Sequence, residues 1–456
     1  MIALIHHHLR RGGVTRVMFS HARILRDAGE KVVLYSGEPS PEPPPEGVEL
    51  RMLAELAYGP TADPASVQTL VDTFAGLGED TVLHIHNHSL GKNPAVTAAV
   101  AELARRGARM VLQLHDFAED GRPANLQSLL QALADPEHSL YPHGPHIQYA
   151  VLQGRDRDIL LGAGLPAERV TLLPNLIESP DDLPPPATPP RTVLYLSRGI
   201  RRKNIGEFLL WAQTRGKDMQ FATSLIPENP AERPVFDQWT ALAEQLRLPV
   251  RFGIGMKSGT SFTEVVSAAD ACITTSVGEG FGMSFLEPFL MNRPLFGRDL
   301  PDITAGFKAD GIRLDGLYET LPVPTGLLDP EFWPRALQTV RNARATVGLN
   351  TPVLLPDLQA AWVQSGQIDF GRLDELAQAH VLRSGFRPDL PVSTDPALIQ
   401  RNRTLLREHY NAATTLRRLQ TLYARTAVAA APLDWLPPAR IRDAFSNLHH
   451  IRLLRT

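Results

Sequence analysis

Short apolar strands alternate with amphipathic helices along most of this chain, and no other feature restricts its fold as much. Ile2 to Ile5 and Lys31 to Tyr35 have the character of strands, and Val14 to Asp27 between them has a helical pattern. Such alternation is typical of parallel sheets covered by helices on both faces, so the sequence predicts an α/β fold. Further strands are predicted at Thr81 to His86, Met110 to His115, His146 to Leu152, Thr192 to Ser197, Met219 to Ser224, Val250 to Ile254 and Ala271 to Thr275.

A proline-rich run interrupts this alternation. Six prolines fall within residues 179–190, which excludes a helix or a central strand there. Because 456 residues exceed one ordinary core, two doubly wound domains joined by this run are expected. The predicted boundaries are 1–178 for the first domain, 179–191 for the linker, 192–427 for the second domain, and 428–456 for a C-terminal segment that completes the first.

The second half of the chain has fewer clear signals. Helices are predicted at Ser284 to Met291, Asp395 to Arg425 and Ala439 to Leu454, whereas Gly306 to Val392 is broken by prolines and has no predicted role. The last helix has arginines beside its apolar stripe, an arrangement that would suit anionic lipid. We expect this helix to pack against the protein itself.

Composition excludes several classes of function. The formal net charge is −3, without the basic stripe of a nucleic-acid-binding protein. Cys272 is the only cysteine, so neither an intrachain disulfide nor a cysteine-cluster metal site is possible. The apolar run after Met1 is too short for a signal peptide, and no run reaches the length of a membrane helix. A cytoplasmic protein is expected, and its oligomeric state is not predicted.

Two glutamates eight residues apart, Glu279 and Glu287, flank a glycine-rich turn. Glycines allow backbone N–H groups to approach a ligand, and a helix start favours anions, which would suit the segment Phe281-Gly282-Met283. A carboxylate next to an anion site would repel the anion, so these glutamates are expected to bind hydroxyls of the ligand instead. That combination indicates a sugar nucleotide, although an ordinary turn between a strand and a helix would explain the motif taken alone.

Two other turns follow the first strand of each predicted domain. In the second domain Arg198 precedes Lys203 by five residues, which would suit a diphosphate, although a basic surface turn is the alternative. Arg201 and Arg202 are interpreted as solvated loop charges. In the first domain Gly12-Gly13 lies between a strand and a helix.

A histidine also ends a strand of the first domain. His115 stands at the predicted carboxyl end of its strand, where ligands bind in open α/β sheets. A histidine satisfied by a neighbouring backbone group is the alternative.

Together these motifs resemble those of retaining glycosyltransferases of the GT-B fold, specifically their family four. The resemblance implies two Rossmann-like domains facing each other across a cleft, and transfer of a glucose- or mannose-type hexose from a nucleoside-diphosphate sugar to a hydroxyl acceptor. It implies neither a cofactor nor a metal. It assigns catalysis to His115 and Glu279, and donor binding to Gly12, Gly13, Arg198, Lys203, Phe281, Gly282, Met283 and Glu287.

The acceptor is less defined. Loops of the first domain usually select it, and Lys92 and Arg122 could receive an anionic group or be ordinary surface charges. His86, His88 and Asp116 are further acceptor candidates. His84, His86 and His88 alternate along one strand and could mimic a metal site, but no metal is expected.

Three rival functions remain open. A phosphorylase of the same fold would use phosphate and a disaccharide without any nucleotide. A sugar-nucleotide epimerase would need no acceptor, and a non-catalytic protein would bind the sugar nucleotide without turnover. Fold alone does not decide among them.

Overall fold

The computed structural model describes residues 1–177, 183–256, 261–349, 351–426 and 432–455. The start of the predicted linker, and residues 428–431 and 456 of the predicted C-terminal segment, lie outside these ranges. The chain forms two compact units. Unit 1 comprises Met1–Leu176, Thr346–Leu349 and Tyr410–Ser446, and unit 2 comprises Ile177–Ala345, Asn350–His409 and Asn447–Thr456.

The strands are β1 (Ile2–His6), β2 (Val32–Ser36), β3 (Glu49–Met52), β4 (Val82–His86), β5 (Met110–Leu114), β6 (Pro142–His143), β7 (Ile147–Val151), β8 (Val170–Leu172), β9 (Thr192–Tyr195), β10 (Gln220–Thr223), β11 (Val250–Arg251), β12 (Ala271–Thr274), β13 (Leu295–Arg298), β14 (Leu317–Tyr318), β15 (Pro322–Pro324), β16 (Val363–Gln364), β17 (Gln367–Asp369) and β18 (Asp434–Trp435). The α-helices are α1 (Gly13–Asp27), α2 (Pro64–Ala75), α3 (Pro94–Arg105), α4 (Pro123–Ala132), α5 (Gly154–Ala163), α6 (Ile205–Arg215), α7 (Arg233–Gln245), α8 (Phe262–Ser267), α9 (Glu287–Leu290), α10 (Pro301–Ala309), α11 (Phe332–Thr346), α12 (Leu355–Trp362), α13 (Glu375–Arg383), α14 (Pro396–His409), α15 (Ala412–Ala424) and α16 (Pro438–Phe445).

Unit 1 is built on a seven-stranded parallel sheet in the order β3-β2-β1-β4-β5-β7-β8. Every residue of β1, β2, β4, β5 and β7 is buried, as expected for strands with helices on both faces. The strand order reverses between β1 and β4. In open α/β sheets ligands bind at the carboxyl ends of the strands where the order reverses.

Unit 2 repeats this plan with a six-stranded parallel sheet in the order β11-β10-β9-β12-β13-β14. The order reverses between β9 and β12, which pair in parallel with Ile273 opposite Tyr195. The loops that follow these two strands therefore leave the same edge of the sheet side by side. The doubly wound architecture predicted from the sequence is confirmed in both units.

The region without a predicted role, Gly306 to Val392, supplies much of the core of unit 2. A small antiparallel sheet in the order β15-β17-β16 and the helices α11, α12 and α13 come from it. Phe332, Trp362 and Phe370 are buried in the same hydrophobic cluster as Phe208 of α6. Its proline-broken pieces are therefore packing elements of the second unit.

Three predicted helices differ from the structure. The stretch Asp395 to Arg425 is two helices, because α14 ends at His409 and the side chain of Asn411 accepts a hydrogen bond from the backbone N–H of Thr414 to cap α15. Ser284 to Met291 is a 3₁₀ turn, Met283–Phe285, followed by the short α9. The last predicted helix stops at Phe445, and a 3₁₀ turn follows at Leu453–Arg455. Among the described residues, no helix combines the length and the apolar character that crossing a membrane requires.

Candidate functional site

The loops after β9 and β12 in unit 2 meet through a network of hydrogen bonds. The Tyr195 hydroxyl and the Thr275 hydroxyl both donate to the carbonyl of Lys203, at 2.9 and 3.1 Å. The backbone N–H of Val277 donates to the carbonyl of Arg202 at 3.0 Å. The turn that carries Lys203 and the turn that carries Glu279 are thereby fixed to each other.

Glu279 forms ion pairs with two cations of the facing loop. Its carboxylate accepts hydrogen bonds from the Lys203 ammonium and, at 3.0 Å, from the Arg202 guanidinium. Only 9% of the Glu279 side chain and 12% of the Lys203 side chain are exposed. Burial alone would raise the pKa of Glu279, but the charges of Lys203 and Arg202 outweigh burial and lower it to about 2. The group is therefore a carboxylate throughout the physiological pH range.

The interpretation of Arg201 and Arg202 as solvated loop charges was wrong. Arg202 bonds Glu279 and, at 2.5 Å, the carbonyl of Gly278, while Arg201 forms an ion pair with Glu375. Arg198, the other predicted donor-binding cation, is exposed and has no hydrogen-bond or ion-pair partner among the described residues.

The rest of the glycine-rich turn is shaped by packing. Phe281 is buried and its ring lies edge-to-face with that of Phe307, at 5.3 Å between centroids. Gly282 has φ 91°, and a Cβ there would stand 2.6 Å from the side chain of Ile303. Both backbone conformation and space therefore require glycine at this position. Met283 opens the 3₁₀ turn that follows, and its side chain is partly exposed.

Glu287 is the first residue of α9 and is partly exposed. Burial is the largest influence on the pKa of Lys203 and lowers it. The negative charge of Glu287 acts in the opposite direction and raises that pKa. Arg198, Lys203, Glu279 and Glu287 thus belong to one edge of one sheet, as the order of the strands requires.

In unit 1 Gly12 is the N-cap and Gly13 the first residue of α1, and no side chain caps this helix start. Gly12 has an extended backbone, which any residue can adopt, and a Cβ at Gly13 would meet nothing within 4 Å. Neither backbone strain nor packing within the described residues therefore explains these glycines. An uncapped helix start with open space in front of it suits an anionic ligand.

His115 follows β5 and is 6% exposed. Its Nε2 lies 2.8 Å from Nδ1 of His86, and its backbone N–H donates to the side chain of Asn87 at 2.8 Å. Asn87 has φ 57° and was not identified from the sequence, although asparagine tolerates this conformation better than most residues. Burial lowers the pKa of His115 to about 3, so its imidazole is neutral.

The remaining acceptor candidates separate into a buried and an accessible group. His86 and His88 are each 1% exposed, and Nε2 of His88 lies 2.9 Å from the carbonyl of Leu140. By contrast Asp116 and Arg122 form an ion pair at 2.9 Å, with about a third of each side chain exposed. Lys92 lies close enough to this pair for the charge of Arg122 to lower its pKa.

Lys92, a predicted acceptor residue, belongs to a cluster of cations around Tyr58. The sequence did not predict this grouping. The Lys92 ammonium lies 5.5 Å and the Arg10 guanidinium 5.8 Å from the centre of the Tyr58 ring. Burial, followed by the charge of Arg122, lowers the pKa of Lys92. No hydrogen bond or ion pair of the Lys92 ammonium is found within the described ranges. Arg10 is already paired with Glu38 and Arg122 with Asp116, so Lys92 is the cation of this cluster that could receive an anionic group.

Three buried histidines of unit 1, His21, His84 and His86, have ring nitrogens within 4.8 Å of one another. Among the described residues, these three histidines are the group with the spacing to hold a metal ion. Both nitrogens of His84 are already engaged, at 2.8 Å from the Tyr423 hydroxyl and 2.9 Å from the Gln113 side chain. Three open lone pairs are therefore not presented to an ion.

Known proteins resemble this chain in sequence and in fold. The family described as "Glycosyl transferase 4-like domain" matches residues 12–176. Over 340 residues the chain is 28% identical to mannosylglucosyl-3-phosphoglycerate synthase of Petrotoga mobilis, a match that spans 67% of this chain. It spans 66% of that protein, slightly less than two thirds of its length.

Solved structures share the fold. Sucrose-phosphate synthase from Thermosynechococcus elongatus superposes with a TM-score of 0.56 at 15% identity, over 93% of this chain and 98% of that one. The Anabaena protein HepE in complex with UDP and glucose gives 0.52 at 11% identity, over 92% and 98%. Residues 12–176 therefore form a glycosyl transferase 4-like domain, and the chain has the GT-B fold. Its β9 and β12 loops are the part of this GT-B chain that carries the paired glutamates and the basic turn.

Proposed function

We propose that this GT-B protein transfers a hexose from a nucleoside-diphosphate sugar to a hydroxyl of an anionic acceptor, with retention of the anomeric configuration. The observation that carries the proposal is the buried carboxylate of Glu279 between Lys203 and Arg202 at the edge where the strand order reverses. A site that offers fixed cations and carboxylates together matches a ligand with both phosphates and hydroxyls. The structurally similar Anabaena protein HepE, solved in complex with UDP and glucose, supports this ligand class.

Each predicted donor-site residue of unit 2 has a role in this proposal. Arg198 and Lys203 bind the diphosphate, because fixed cations lower the barrier most where negative charge develops. Glu287 binds ribose hydroxyls, and Glu279 binds hydroxyls of the donor sugar and orients its anomeric carbon. Backbone N–H groups at Phe281-Gly282-Met283 assist the diphosphate.

The family resemblance assigns further donor contacts to residues of unit 1. The N–H groups of Gly12 and Gly13 would bind the diphosphate, and His115 would contact the donor sugar. In the reaction the bond from the anomeric carbon to the diphosphate oxygen breaks, and a bond to the acceptor oxygen forms on the same face. The acceptor proton passes to the departing phosphate oxygen, so neither glutamate acts as a nucleophile. We propose that neither a metal ion nor a cofactor is required.

The acceptor part of the proposal depends on the cation cluster around Tyr58. Lys92 has no partner for its ammonium among the described residues, whereas Arg10 and Arg122 are already paired with Glu38 and Asp116. A phosphate or carboxylate would complete this cluster. The Petrotoga mobilis relative is named for a product that contains 3-phosphoglycerate, which carries both groups. A phosphoglycerate or glycosylated phosphoglycerate is therefore the acceptor class proposed.

Replacing Lys92 by alanine is expected to raise the KM for an anionic acceptor by about 10- to 100-fold, because a hydrogen bond to a charged group is lost. The kcat and the KM for the donor should change much less. Initial rates at varied acceptor concentration measure this effect, with Lys31→Ala, an exposed lysine of the same unit, as the matched control. An unchanged acceptor KM in Lys92→Ala would remove the cluster from the acceptor site.

A donor screen tests the function itself. The protein is incubated with UDP- and GDP-hexoses, with and without 3-phosphoglycerate and its glycosides, and thermal stability, nucleotide release and product are measured. A donor at 100 times its Kd should stabilise the fold by about 2.7 kcal/mol. An α-linked donor should yield an α-linked product by NMR. Turnover of a disaccharide with phosphate and no nucleotide would instead identify a phosphorylase, and epimerised donor without acceptor would identify an epimerase.

A further inference from the structure

The chain segment after α16 belongs to unit 2 and is held there by its backbone. The indole N–H of Trp362 donates to the carbonyl of Leu448 at 2.9 Å, and the Arg372 guanidinium donates to the carbonyl of His449 at 2.8 Å. Leu453 is 1% exposed and packs in the main hydrophobic cluster of the unit. These contacts fix the path of the segment up to the 3₁₀ turn Leu453–Arg455.

This path brings Arg455 onto the turn that carries Glu279. A Cβ at Gly278 would stand 2.6 Å from Nε, 2.7 Å from Cδ and 3.0 Å from Cζ of Arg455, so the guanidinium lies directly against the backbone of Gly278. Arg202 bonds the carbonyl of the same glycine at 2.5 Å. Gly278 is therefore covered by two arginine side chains, one from the loop after β9 and one from the C-terminal segment.

The charges of the site make a further cation useful. The three cations Arg198, Arg202 and Lys203 are offset by the two carboxylates of Glu279 and Glu287, which leaves a net charge of about one. A nucleoside diphosphate carries more negative charge than that, and its charge increases when the sugar leaves. Arg455 is partly exposed and next to this group, whereas its neighbours Leu453 and Leu454 are buried.

We propose that Arg455 is a donor-binding residue, whose guanidinium is carried to the glycine-rich turn by the C-terminal segment and binds the diphosphate of the sugar nucleotide. The proposal rests on the function proposed above, which supplies the ligand. Arginine suits this role because its planar fork binds two phosphate oxygens at once. The C-terminal segment then belongs to the donor site, in addition to packing against unit 2.

Calorimetric titration of the full chain with UDP and GDP, and with UMP and GMP, tests the proposal. In Arg455→Ala the Kd for the diphosphate that the unsubstituted protein binds should rise by about 10- to 100-fold. The Kd for the corresponding monophosphate should rise much less, because the contact is to the second phosphate or to both. Arg455→Lys should recover part of the affinity. Arg440→Ala, which removes an exposed arginine of α16, is the matched control and should bind as the unsubstituted protein does.

A second variant reaches the same contact from the other side. The methyl group of Gly278→Ala would displace the Arg455 guanidinium, so this variant should weaken diphosphate binding, and combining it with Arg455→Ala should add little. Unchanged diphosphate affinity in Arg455→Ala would overturn the proposal and leave the proposed function intact. Equal losses for diphosphate and monophosphate, with a lowered Tm, would also overturn it and show that Arg455 only braces the turn. If the unsubstituted protein binds neither UDP nor GDP, the proposed function fails, and the inference fails with it.

Discussion

Replacing Glu279 by glutamine is expected to slow sugar transfer by about 100-fold, a loss typical of a donor held in a poor geometry. The amide offers one acceptor oxygen in place of two and carries no charge, so it holds the sugar hydroxyls less firmly and the anomeric carbon is no longer oriented toward the acceptor. The diphosphate is bound by other groups, and its Kd should change by no more than a few fold. Initial rates and titration with the nucleoside diphosphate measure the two effects, with Glu228→Gln, an exposed residue of the same unit, as the control.

The same substitution should also destabilise unit 2. Breaking a buried ion pair by removing one partner costs about 3–5 kcal/mol, and the side chains of Glu279 and Lys203 are 9% and 12% exposed. The double variant Glu279→Gln with Lys203→Met removes both charges and should regain most of the Tm without regaining transfer. Recovery of the rate together with the Tm would show that Glu279 serves only the ion pair. A normal rate in Glu279→Gln alone would remove it from the catalytic site.

The strands that position this site were predictable because buried parallel strands are short apolar runs. The predicted bounds of the strands at Thr192 and Ala271 begin where β9 and β12 begin. No local sequence pattern predicts the strand order. That order nevertheless brings Lys203 next to Glu279, which lies 76 residues later in the chain. Long-range pairing of this kind depends on which strands become neighbours in the sheet, and periodicity does not report that.

Other differences have local causes. The apolar period from Asp395 to Arg425 continues across the break at Tyr410, and the asparagine that caps α15 was the available signal for a boundary. Arg202 lies in a run with the composition of a surface turn, and only the position of Glu279 makes it the partner of a buried carboxylate. The C-terminal segment after Phe445 has little helical pattern of its own. Its contacts with Trp362 and Arg372 fix its path, and both residues lie in the stretch for which no role was predicted.

A decrease in pH from 8 to 5 is expected to destabilise unit 1 strongly, because several of its histidines are buried in the neutral form. Burial lowers the pKa of His7, His21 and His88 to about 4 and that of His115 to about 3. A group whose pKa is lower in the folded state contributes its full stability above its unfolded pKa of about 6.5, and loses it as the pH falls toward the folded value. Each of the four should therefore cost about 2 kcal/mol at pH 5, and together about 8 kcal/mol.

That loss is comparable with the whole stability of an ordinary domain, about 5–15 kcal/mol, so unit 1 should unfold near pH 5. Urea unfolding at several pH values, with EDTA present to remove any metal bound at the histidines, measures the slope. His21 is the most informative position, since neither of its ring nitrogens has a hydrogen-bond partner among the described residues. His21→Leu should raise stability at pH 5 and reduce the slope by about one proton. A free energy of unfolding that stays constant from pH 8 to 5 would contradict this prediction. It would mean that these histidines have the same pKa in the folded protein as in the unfolded chain.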